Sequence, residues 1–327
     1  MIRISFTYHP SDAPGGGANN FLRGLKTYLA AKPDFILNGS GREPFDILFM
    51  NELNQGPNGG VSRLRLSEIT DRIRTSRQAG HKAKLVVRAV NQRRQQEGLS
   101  WRDYLSAWLA DRAVLKLLDL ADFVIFQSNY QRGFFHDYGF TNPLNRVIVN
   151  GAAPEFLSIP RRAYHPGETL RLVSATASAR TSKRHEIIAG ISLLPGVEVQ
   201  HFGRWPDGLP TGAVRLAGIT THQQMAVAYR KAHAFLHPAH KDPCPNALLE
   251  GLSSGLPALY GDGPGSGAEL TGACGLPIDM NGLEATIEAL RNQHEALTAR
   301  LEARRPYYSI SRAAEEYIDV FRKLAAT

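Results

Sequence analysis

The sequence has 327 residues, few cysteines and no long apolar run. Its two cysteines, Cys244 and Cys274, are too few for a disulfide framework, which favours a reducing cytoplasm. No apolar stretch reaches the roughly 20 residues that span a bilayer. The opening MIRISFTYHP lacks the apolar core of a signal peptide and is typical of a first strand. We therefore expect a globular protein without a disulfide scaffold or a membrane span.

Several catalytic signatures are also absent. The sequence has no metal-ligand spacing of His, Cys and acidic residues. It has no Gly-x-Ser-x-Gly elbow, and Cys244, which lies between two prolines, has no matched histidine to activate it. The glycine stretch SDAPGGGANNF does not follow the Gly-x-Gly-x-x-Gly spacing of a dinucleotide fingerprint. Nothing in the sequence therefore indicates a metal centre, a serine or cysteine nucleophile, or dinucleotide binding.

The net charge of +8 is distributed unevenly. Residues 1–160 carry 20 basic and 14 acidic side chains, whereas residues 161–327 carry 18 and 16. The densest basic run extends from Arg63 to Arg94 and has 10 basic and 2 acidic residues. Such a surface attracts phosphates, anionic lipid or nucleic acid. A plain solvated basic face explains the run equally well.

Short apolar runs alternate with longer amphipathic runs along the chain. Strands are predicted at IRISFTY, FDILFMN, AKLVVRAVN and DFVIFQS, with helices between them. A Pro-rich, basic stretch at 154–169 interrupts the pattern and is interpreted as a linker, and the alternation restarts at LRLVSATA. Such alternation with right-handed crossovers predicts parallel sheets covered on both faces. The length favours two doubly wound domains, with ligands at the carboxyl ends of the strands.

Two acidic residues follow a predicted strand in FLHPAHKDPCPNALLEGLSSGLPALYGDG, which spans 235–263. Asp242 lies in the loop after the strand, and Glu250 lies about one turn into a helix that Asn246 can cap. The helix N-terminus suits a phosphate, and a carboxylate near it can accept hydrogen bonds from a diol such as ribose. An acid that only favours the helix dipole fits this pattern equally well.

This stretch resembles the nucleotide-sugar signature of glycosyltransferase family 4, which has the GT-B fold. The family carries two acids with seven residues between them, then a small-residue turn with Gly and Pro; Asp242, Glu250, Gly255 and Pro257 match that pattern. The sequence departs from the family at the first acid, where Glu is usual, and in the Pro-Cys-Pro-Asn loop. The resemblance implies that Glu250 holds the donor ribose and that Asp242 faces the transferred sugar.

The resemblance assigns further residues to the donor site. Lys183 and Arg180, in SATASARTSKRHEII, match a basic pair that neutralises the leaving diphosphate. At Arg88, many family members carry His, and an ordinary surface arginine is the competing interpretation. The other implied donor contacts are Gly16 and Gly17 in the glycine loop, Gly203, Gly218 and Ile219 near the base, Pro245, Asn246, Ala247 and Leu248. His237 precedes Pro238 at a strand end, where a structural role is favoured over that of a base, and a contact with the donor is the most that we expect of it.

The resemblance covers nearly the whole chain and implies an α/β GT-B fold, with two doubly wound parallel-sheet (Rossmann-like) domains facing a central cleft. The expected acceptor-side domain is 1–158 joined by about 309–327, and the expected nucleotide-sugar domain is 165–308. The implied activity is retaining transfer of a hexose from a nucleoside-diphosphate sugar to a hydroxyl of a glycan, glycolipid or other acceptor. No metal and no cofactor other than the donor are expected.

The expected partners are a nucleotide sugar and a glycan or lipid-linked acceptor. Because of the basic first domain, we also expect peripheral contact with an anionic membrane at its cytoplasmic face. The nucleotide, the sugar, the acceptor with its linkage, and the oligomeric state cannot be read from the sequence.

An alternative class stays open, a phosphate-polymer or nucleic-acid binding protein that uses the basic run and has no transferase activity. This alternative predicts strongly salt-dependent binding without nucleotide selectivity. The basic run lacks interleaved aromatic residues, and nucleic acid is therefore not the expected partner.

Overall fold

The computed structural model describes residues 1–7, 17–38, 43–51, 66–90, 93–95, 97–160 and 162–327. Within them, the strands are β1 Ile2–Phe6, β2 Phe35–Asn38, β3 Ile47–Met50, β4 Lys84–Arg88, β5 Phe123–Phe126, β6 Asn145–Val147, β7 Leu170–Thr176, β8 Val197–Gly203, β9 Arg215–Gly218, β10 Ala234–His237, β11 Ala258–Gly261 and β12 Gly275–Ile278. The helices are α1 Gly17–Ala30, α2 Leu66–Gln78, α3 Trp101–Leu120, α4 Asn129–Asp137, α5 Pro154–Leu157, α6 His185–Ser192, α7 His222–Tyr229, α8 Asn246–Ser253, α9 Gly267–Thr271, α10 Leu283–Arg304 and α11 Ile310–Ala326.

The chain forms two compact units. Unit 1 consists of the described residues within Met1–Asp12, Leu22–Val149 and Ala313–Thr327, and unit 2 of those within Ala13–Phe21 and Asn150–Arg312. Each unit contains a six-stranded parallel sheet with flanking helices. The expected α/β class with two doubly wound parallel-sheet domains is therefore confirmed.

In unit 1 the strand order is β2-β1-β3-β4-β5-β6. The last helix, α11, packs on this sheet because its buried residues follow helical spacing, with Ala313, Tyr317 and Phe321 fully buried. Phe49 of β3 makes edge-to-face contacts with Tyr317 and Phe321, at ring-centroid distances of 5.8 and 5.7 Å. The carboxyl-terminal helix is thus part of the unit 1 core.

In unit 2 the strand order is β12-β11-β10-β7-β8-β9, which is the order of a Rossmann sheet. The order reverses between β7 and β10, which pair directly through Phe235 and Val173. Helix α8 lies close against β10, since a Cβ added at Gly251 would stand 2.5 Å from the Phe235 ring. The reversal point is where such sheets bind ligands, and α8 begins beside it.

The structure differs from the sequence-based reading in a few elements. Strands β2 and β12 and helix α9 were not predicted, because β2 has only four residues, β12 contains Pro277 and α9 follows a glycine-rich stretch. The predicted linker at 154–169 begins with the short helix α5, whose Phe156 is fully buried against unit 2. Residues 150–158 accordingly belong to unit 2, whereas the sequence places them in the first domain.

Candidate functional site

The loops that follow β7 and β10 meet at the reversal point of the unit 2 sheet. Lys183 lies in a short 3-10 turn after β7, and its Nζ is 2.5 Å from Oδ2 of Asp242, in the loop after β10. The two side chains are mostly buried, with 21% and 15% of their surfaces exposed. A basic and an acidic residue that are distant in sequence therefore form one ion pair at the ligand-binding edge of the sheet.

Backbone hydrogen bonds fix the loop that carries Asp242. The amide and hydroxyl of Ser266, after β11, both donate to the Asp242 carbonyl, at 3.0 and 2.9 Å. The His240 amide donates to the Ser182 carbonyl at 3.0 Å, which joins this loop to the turn that carries Lys183. A Cβ added at Gly265 would stand 3.2 Å from the Lys241 amide nitrogen. The loops after β7, β10 and β11 thus hold one another in place.

The charge state of this edge follows from its surroundings. Burial acts to raise the pKa of Asp242. That pKa is nevertheless held below its ordinary value by the Lys183 ammonium, by the His237 imidazole and by the hydrogen bond from the Cys244 amide. Burial lowers the pKa of His237 to about 4, so this imidazole is neutral at pH 7. Its Nε2 has no hydrogen-bond partner in the described part of the chain. The edge therefore presents an anionic carboxylate, a cation and a neutral imidazole.

The first turn of α8 continues this edge. Pro245 is the N-cap residue, and Asn246, Ala247 and Leu248 form the first turn. The side-chain amide of Asn150 donates to Oδ1 of Asn246 at 2.8 Å. Because amide groups at a helix start point outward and carry the positive end of the dipole, this turn suits a phosphate group.

The second acid, Glu250, lies one turn into α8 and is 7% exposed. Its Oε1 is 3.5 Å from Nε2 of His222, the first residue of α7, and Nδ1 of that ring is 3.8 Å from Oε1 of Glu155 in α5. Burial, together with the Glu155 carboxylate, raises the pKa of Glu250 to about 8. Glu250 is therefore mostly protonated at pH 7 in the free protein.

The predicted residues at the ends of β8 and β9 are placed as follows. Gly203 ends β8 with φ of +108°, and a Cβ there would stand 1.8 Å from the Thr176 carbonyl oxygen, so only glycine fits. Gly218 ends β9 with φ of +66°, and the next residue, Ile219, is 53% exposed. These residues lie at the same carboxyl edge of the sheet as Lys183, and their contact with a donor base stays a prediction.

Two other predicted residues behave differently. Arg180 is exposed before the turn that carries Lys183, and its guanidinium has no hydrogen bond or ion pair with the described residues.

Arg88 is 1% exposed in unit 1, so the interpretation as an ordinary surface arginine is wrong. Its guanidinium donates to Oδ1 of Asn51 at 2.6 Å and to Oε1 of Gln127 at 2.5 Å. These bonds join the ends of β3, β4 and β5, and a donor contact at Arg88 stays a prediction.

The glycine loop lies only partly within the described residues. Gly16 lies outside the described residues, and Gly17 is the first residue of α1.

Among the described residues, no group of three or more His, Cys, Asp or Glu side chains could hold a metal ion. In the same part of the chain, no helix has the length and apolar character needed to cross a membrane.

Three residues around Glu250 were not predicted from the sequence. They are Glu155, His222 and Tyr229, whose fully buried hydroxyl has no hydrogen-bond partner among the described residues. One sequence signal bears on His222, since Thr221 and Gln224 form a capping box that fixes it as the first helical residue. No sequence signal places Glu155 beside it.

No family model matches the sequence, and no curated protein matches it. Solved structures match its backbone. A sucrose-phosphate synthase from Thermosynechococcus elongatus matches with a TM-score of 0.69 and 15% identity, over 100% of both chains. Anabaena HepE in complex with UDP and glucose matches with a TM-score of 0.68 and 14% identity, over 99% of this chain and 100% of that chain. WaaG, a glycosyltransferase involved in lipopolysaccharide biosynthesis, matches with a TM-score of 0.66 and 15% identity, over 98% and 99%.

These matches extend over the full length of both partners and include both six-stranded sheets. The fold of the chain is therefore that of GT-B glycosyltransferases, as the sequence resemblance implied. At 12–16% identity these matches establish the fold, and the activity must be argued from the residues of the site.

Proposed function

We propose that the chain is a retaining glycosyltransferase which moves a hexose from a nucleoside-diphosphate sugar to a hydroxyl of a glycan, glycolipid or other acceptor. The observation that carries the proposal is the Lys183–Asp242 pair at the reversal point of a Rossmann sheet, next to the first turn of α8. A cation, a helix N-terminus and two carboxyl groups along one edge suit a ligand made of a sugar, two phosphates and a ribose. The fold match favours this function over the phosphate-polymer binder.

Each group has a defined task in this mechanism. Lys183, with Arg180 beside it and the start of α8, stabilises the negative charge that develops on the departing diphosphate. Asp242 orients Lys183 and accepts a hydrogen bond from a hydroxyl of the transferred sugar. Glu250 accepts hydrogen bonds from the donor ribose. The departing phosphate takes the proton of the attacking acceptor hydroxyl on the same face, which retains the anomeric configuration.

This charge stabilisation comes from protein groups, and we propose that the reaction needs no metal and no cofactor besides the donor. Activity should then persist in the presence of a chelator. UDP is the first nucleotide to test, because HepE is described in complex with UDP-glucose.

The reaction is tested by incubating the protein with UDP-, GDP-, ADP- and dTDP-hexoses, with water as the hydroxyl acceptor. Proton NMR in the first minutes, before mutarotation, gives the configuration of the released sugar. Retention with one nucleotide class supports the proposal, whereas an inverted sugar contradicts the retaining mechanism. Lack of turnover together with salt-dependent polyphosphate binding would support the alternative class.

Peripheral contact with an anionic membrane is part of the proposal, and helix α3 supports it. On its solvent face, Trp101, Leu105 and Leu109 are 72%, 49% and 58% exposed. The guanidinium groups of Arg102 and Arg112 lie over the Trp101 and Trp108 rings, at 5.3 and 4.7 Å from the centroids. A helix face that combines exposed apolar and basic side chains is typical of an element that lies in a lipid interface. We therefore propose that α3 contacts anionic lipid.

Replacing Trp101, Leu105 and Leu109 together by serine is expected to weaken binding to phosphatidylserine vesicles at least about tenfold, because each apolar side chain that enters the interface contributes on the order of 1 kcal/mol or more. Cosedimentation at low salt measures this effect. The matched control replaces three exposed apolar residues of unit 2, Leu193, Leu216 and Val227, by serine. Equal loss in both variants, or no binding by the wild type, would contradict a role of α3.

A further inference from the structure

Three titratable side chains of unit 2 form a cluster whose members come from different elements. Glu155 of α5, His222 of α7 and Glu250 of α8 form a row, with the imidazole between the two carboxyl groups at 3.8 and 3.5 Å. The His222 ring packs edge-to-face on Phe156, with centroids 5.2 Å apart. His222 is 23% exposed and Glu250 is 9% exposed at their side chains. The Glu155 side chain is 38% exposed, so the cluster is held by packing and solvent reaches it mainly from the Glu155 end.

The contact with the Asn20 amide favours one tautomer of His222. Asn20 lies in the first turns of α1, which belong to unit 2. The side-chain Nδ2 of Asn20 is 3.0 Å from Nε2 of His222. Because an amide NH₂ only donates, Nε2 is an acceptor and the ring proton lies on Nδ1, facing Glu155. The unprotonated ring nitrogen therefore faces Glu250.

Glu250 must be ionised to accept hydrogen bonds from both ribose hydroxyls, but it is protonated in the free protein. A carboxylate accepts hydrogen bonds from both hydroxyls of a diol, whereas a protonated carboxyl keeps one oxygen as a donor. Glu250 has a raised pKa of about 8 because of burial and the Glu155 carboxylate, so at pH 7 it carries a proton in the free protein. Among the residues that the structure describes, the titratable groups that face it are Glu155, His222 and the Tyr229 hydroxyl. Of these, the His222 imidazole is the group that offers a basic ring nitrogen to a carboxyl proton.

We propose that His222 is a positioning residue that accepts the carboxyl proton of Glu250 when the ribose of a nucleotide binds, and that Glu155 stabilises the resulting imidazolium. The inference rests on the proposed function, because it assigns the ribose to Glu250. The proton moves from the carboxyl oxygen of Glu250 to Nε2 of His222, and no bond to the nucleotide forms or breaks. Asn20 then turns its amide so that the oxygen accepts from the new Nε2–H. The imidazolium lies between two carboxylates, which favours it.

This transfer keeps the proton inside the protein and thereby makes nucleotide affinity nearly independent of pH. Without His222, the proton of Glu250 must leave to solvent, and each unit of pH below about 8 then costs about tenfold in affinity. The sign follows from the raised pKa: the free protein holds the proton at pH values below that pKa, and binding must displace it.

The test is calorimetric titration of UDP, GDP, ADP and dTDP at pH 6, 7 and 8, on the wild type, His222→Gln, His222→Asn and Glu250→Gln. Glutamine keeps a hydrogen-bonding amide at position 222 and cannot accept the proton. For the nucleotide that binds, the dissociation constant of the wild type should change less than about threefold, and that of His222→Gln should rise about tenfold per unit as pH falls. Glu250→Gln should bind more weakly at every pH, with a flat profile.

The outcomes separate this inference from the proposed function. Binding by the wild type with parallel pH profiles for the wild type and His222→Gln would overturn the inference and leave the proposed function intact. A merely structural role of His222 would lower affinity equally at all three pH values, which is the same parallel result. If His222→Gln fails to fold, His222→Asn takes its place: an affinity that falls with decreasing pH more steeply than that of the wild type supports the inference, and a parallel profile overturns it. Absence of binding by all four nucleotides would contradict both proposals.

Discussion

Replacing Lys183 by methionine is expected to lower kcat about 100- to 1000-fold, the usual effect of losing one group that stabilises transition-state charge. The Lys183 ammonium lies at the reversal point of the unit 2 sheet, where a diphosphate fits, and Asp242 holds it at 2.5 Å. Since the negative charge of the leaving group grows as the glycosidic bond breaks, the loss of the Lys183 ammonium should affect kcat more than KM. Turnover of the nucleotide sugar that the wild type accepts measures the effect.

Methionine at position 183 also leaves the Asp242 carboxylate without its cation, so a change in folding must be separated from a change in chemistry. The double variant Lys183→Met with Asp242→Asn removes both charges and should recover the thermal stability without recovering kcat. Lys183→Arg keeps the charge and should retain part of the rate. The matched control is Lys231→Met, at an exposed lysine of unit 2. A Lys183→Met enzyme with near wild-type kcat would refute the role of Lys183.

Replacing Arg305 by methionine is expected to destabilise the protein by about 3–5 kcal/mol, because it leaves buried carbonyl groups without a donor. Arg305, in the turn after α10, is 7% exposed. Its guanidinium donates to the carbonyls of Ser253 at 2.9 Å, Leu157 at 2.5 Å and Ile159 at 2.7 Å. These bonds join the end of α8 to the end of α5, the residues that follow α5 and the turn before α11.

Urea unfolding measures this loss, and Arg300→Met, at an exposed position of α10, should change the stability by less than about 0.5 kcal/mol. Because Arg305 holds the segment that carries Glu155, nucleotide affinity should also fall. An Arg305→Met protein as stable as the Arg300→Met control would show that the three carbonyls find other donors.

The fold could be predicted from the sequence because its main signals are local. Apolar runs such as LVV and FVIF, bounded by amphipathic stretches, define strands and helices by their periodicity. The elements that were missed have weak local signals: β12 contains Pro277 at a sheet edge, and α9 is five residues long. Short edge elements form because a neighbouring strand supplies their hydrogen bonds, which no local pattern records.

The candidate site could be predicted only in part. Asp242 and Glu250 stand out because a recognisable spacing links them, and Lys183 because it follows a strand. That Lys183 contacts Asp242 depends on β7 pairing with β10, a fact of sheet topology. The burial of Arg88 could not be predicted, because it depends on Asn51 and Gln127 at the ends of the flanking strands β3 and β5. His222 was missed because its role depends on two carboxyl groups from distant parts of the chain.

The central claim is that unit 2 binds a nucleotide through Glu250, and thermal unfolding with UDP, GDP, ADP, CMP and dTDP tests it most directly. A nucleotide at about 100 times its dissociation constant should stabilise the wild type by about 2.7 kcal/mol. We expect one nucleotide to raise the Tm of the wild type and of Glu295→Ala, at an exposed site on α10, and to leave that of Glu250→Ala unchanged. Equal shifts in the wild type and Glu250→Ala, or no shift from any nucleotide, would contradict the claim.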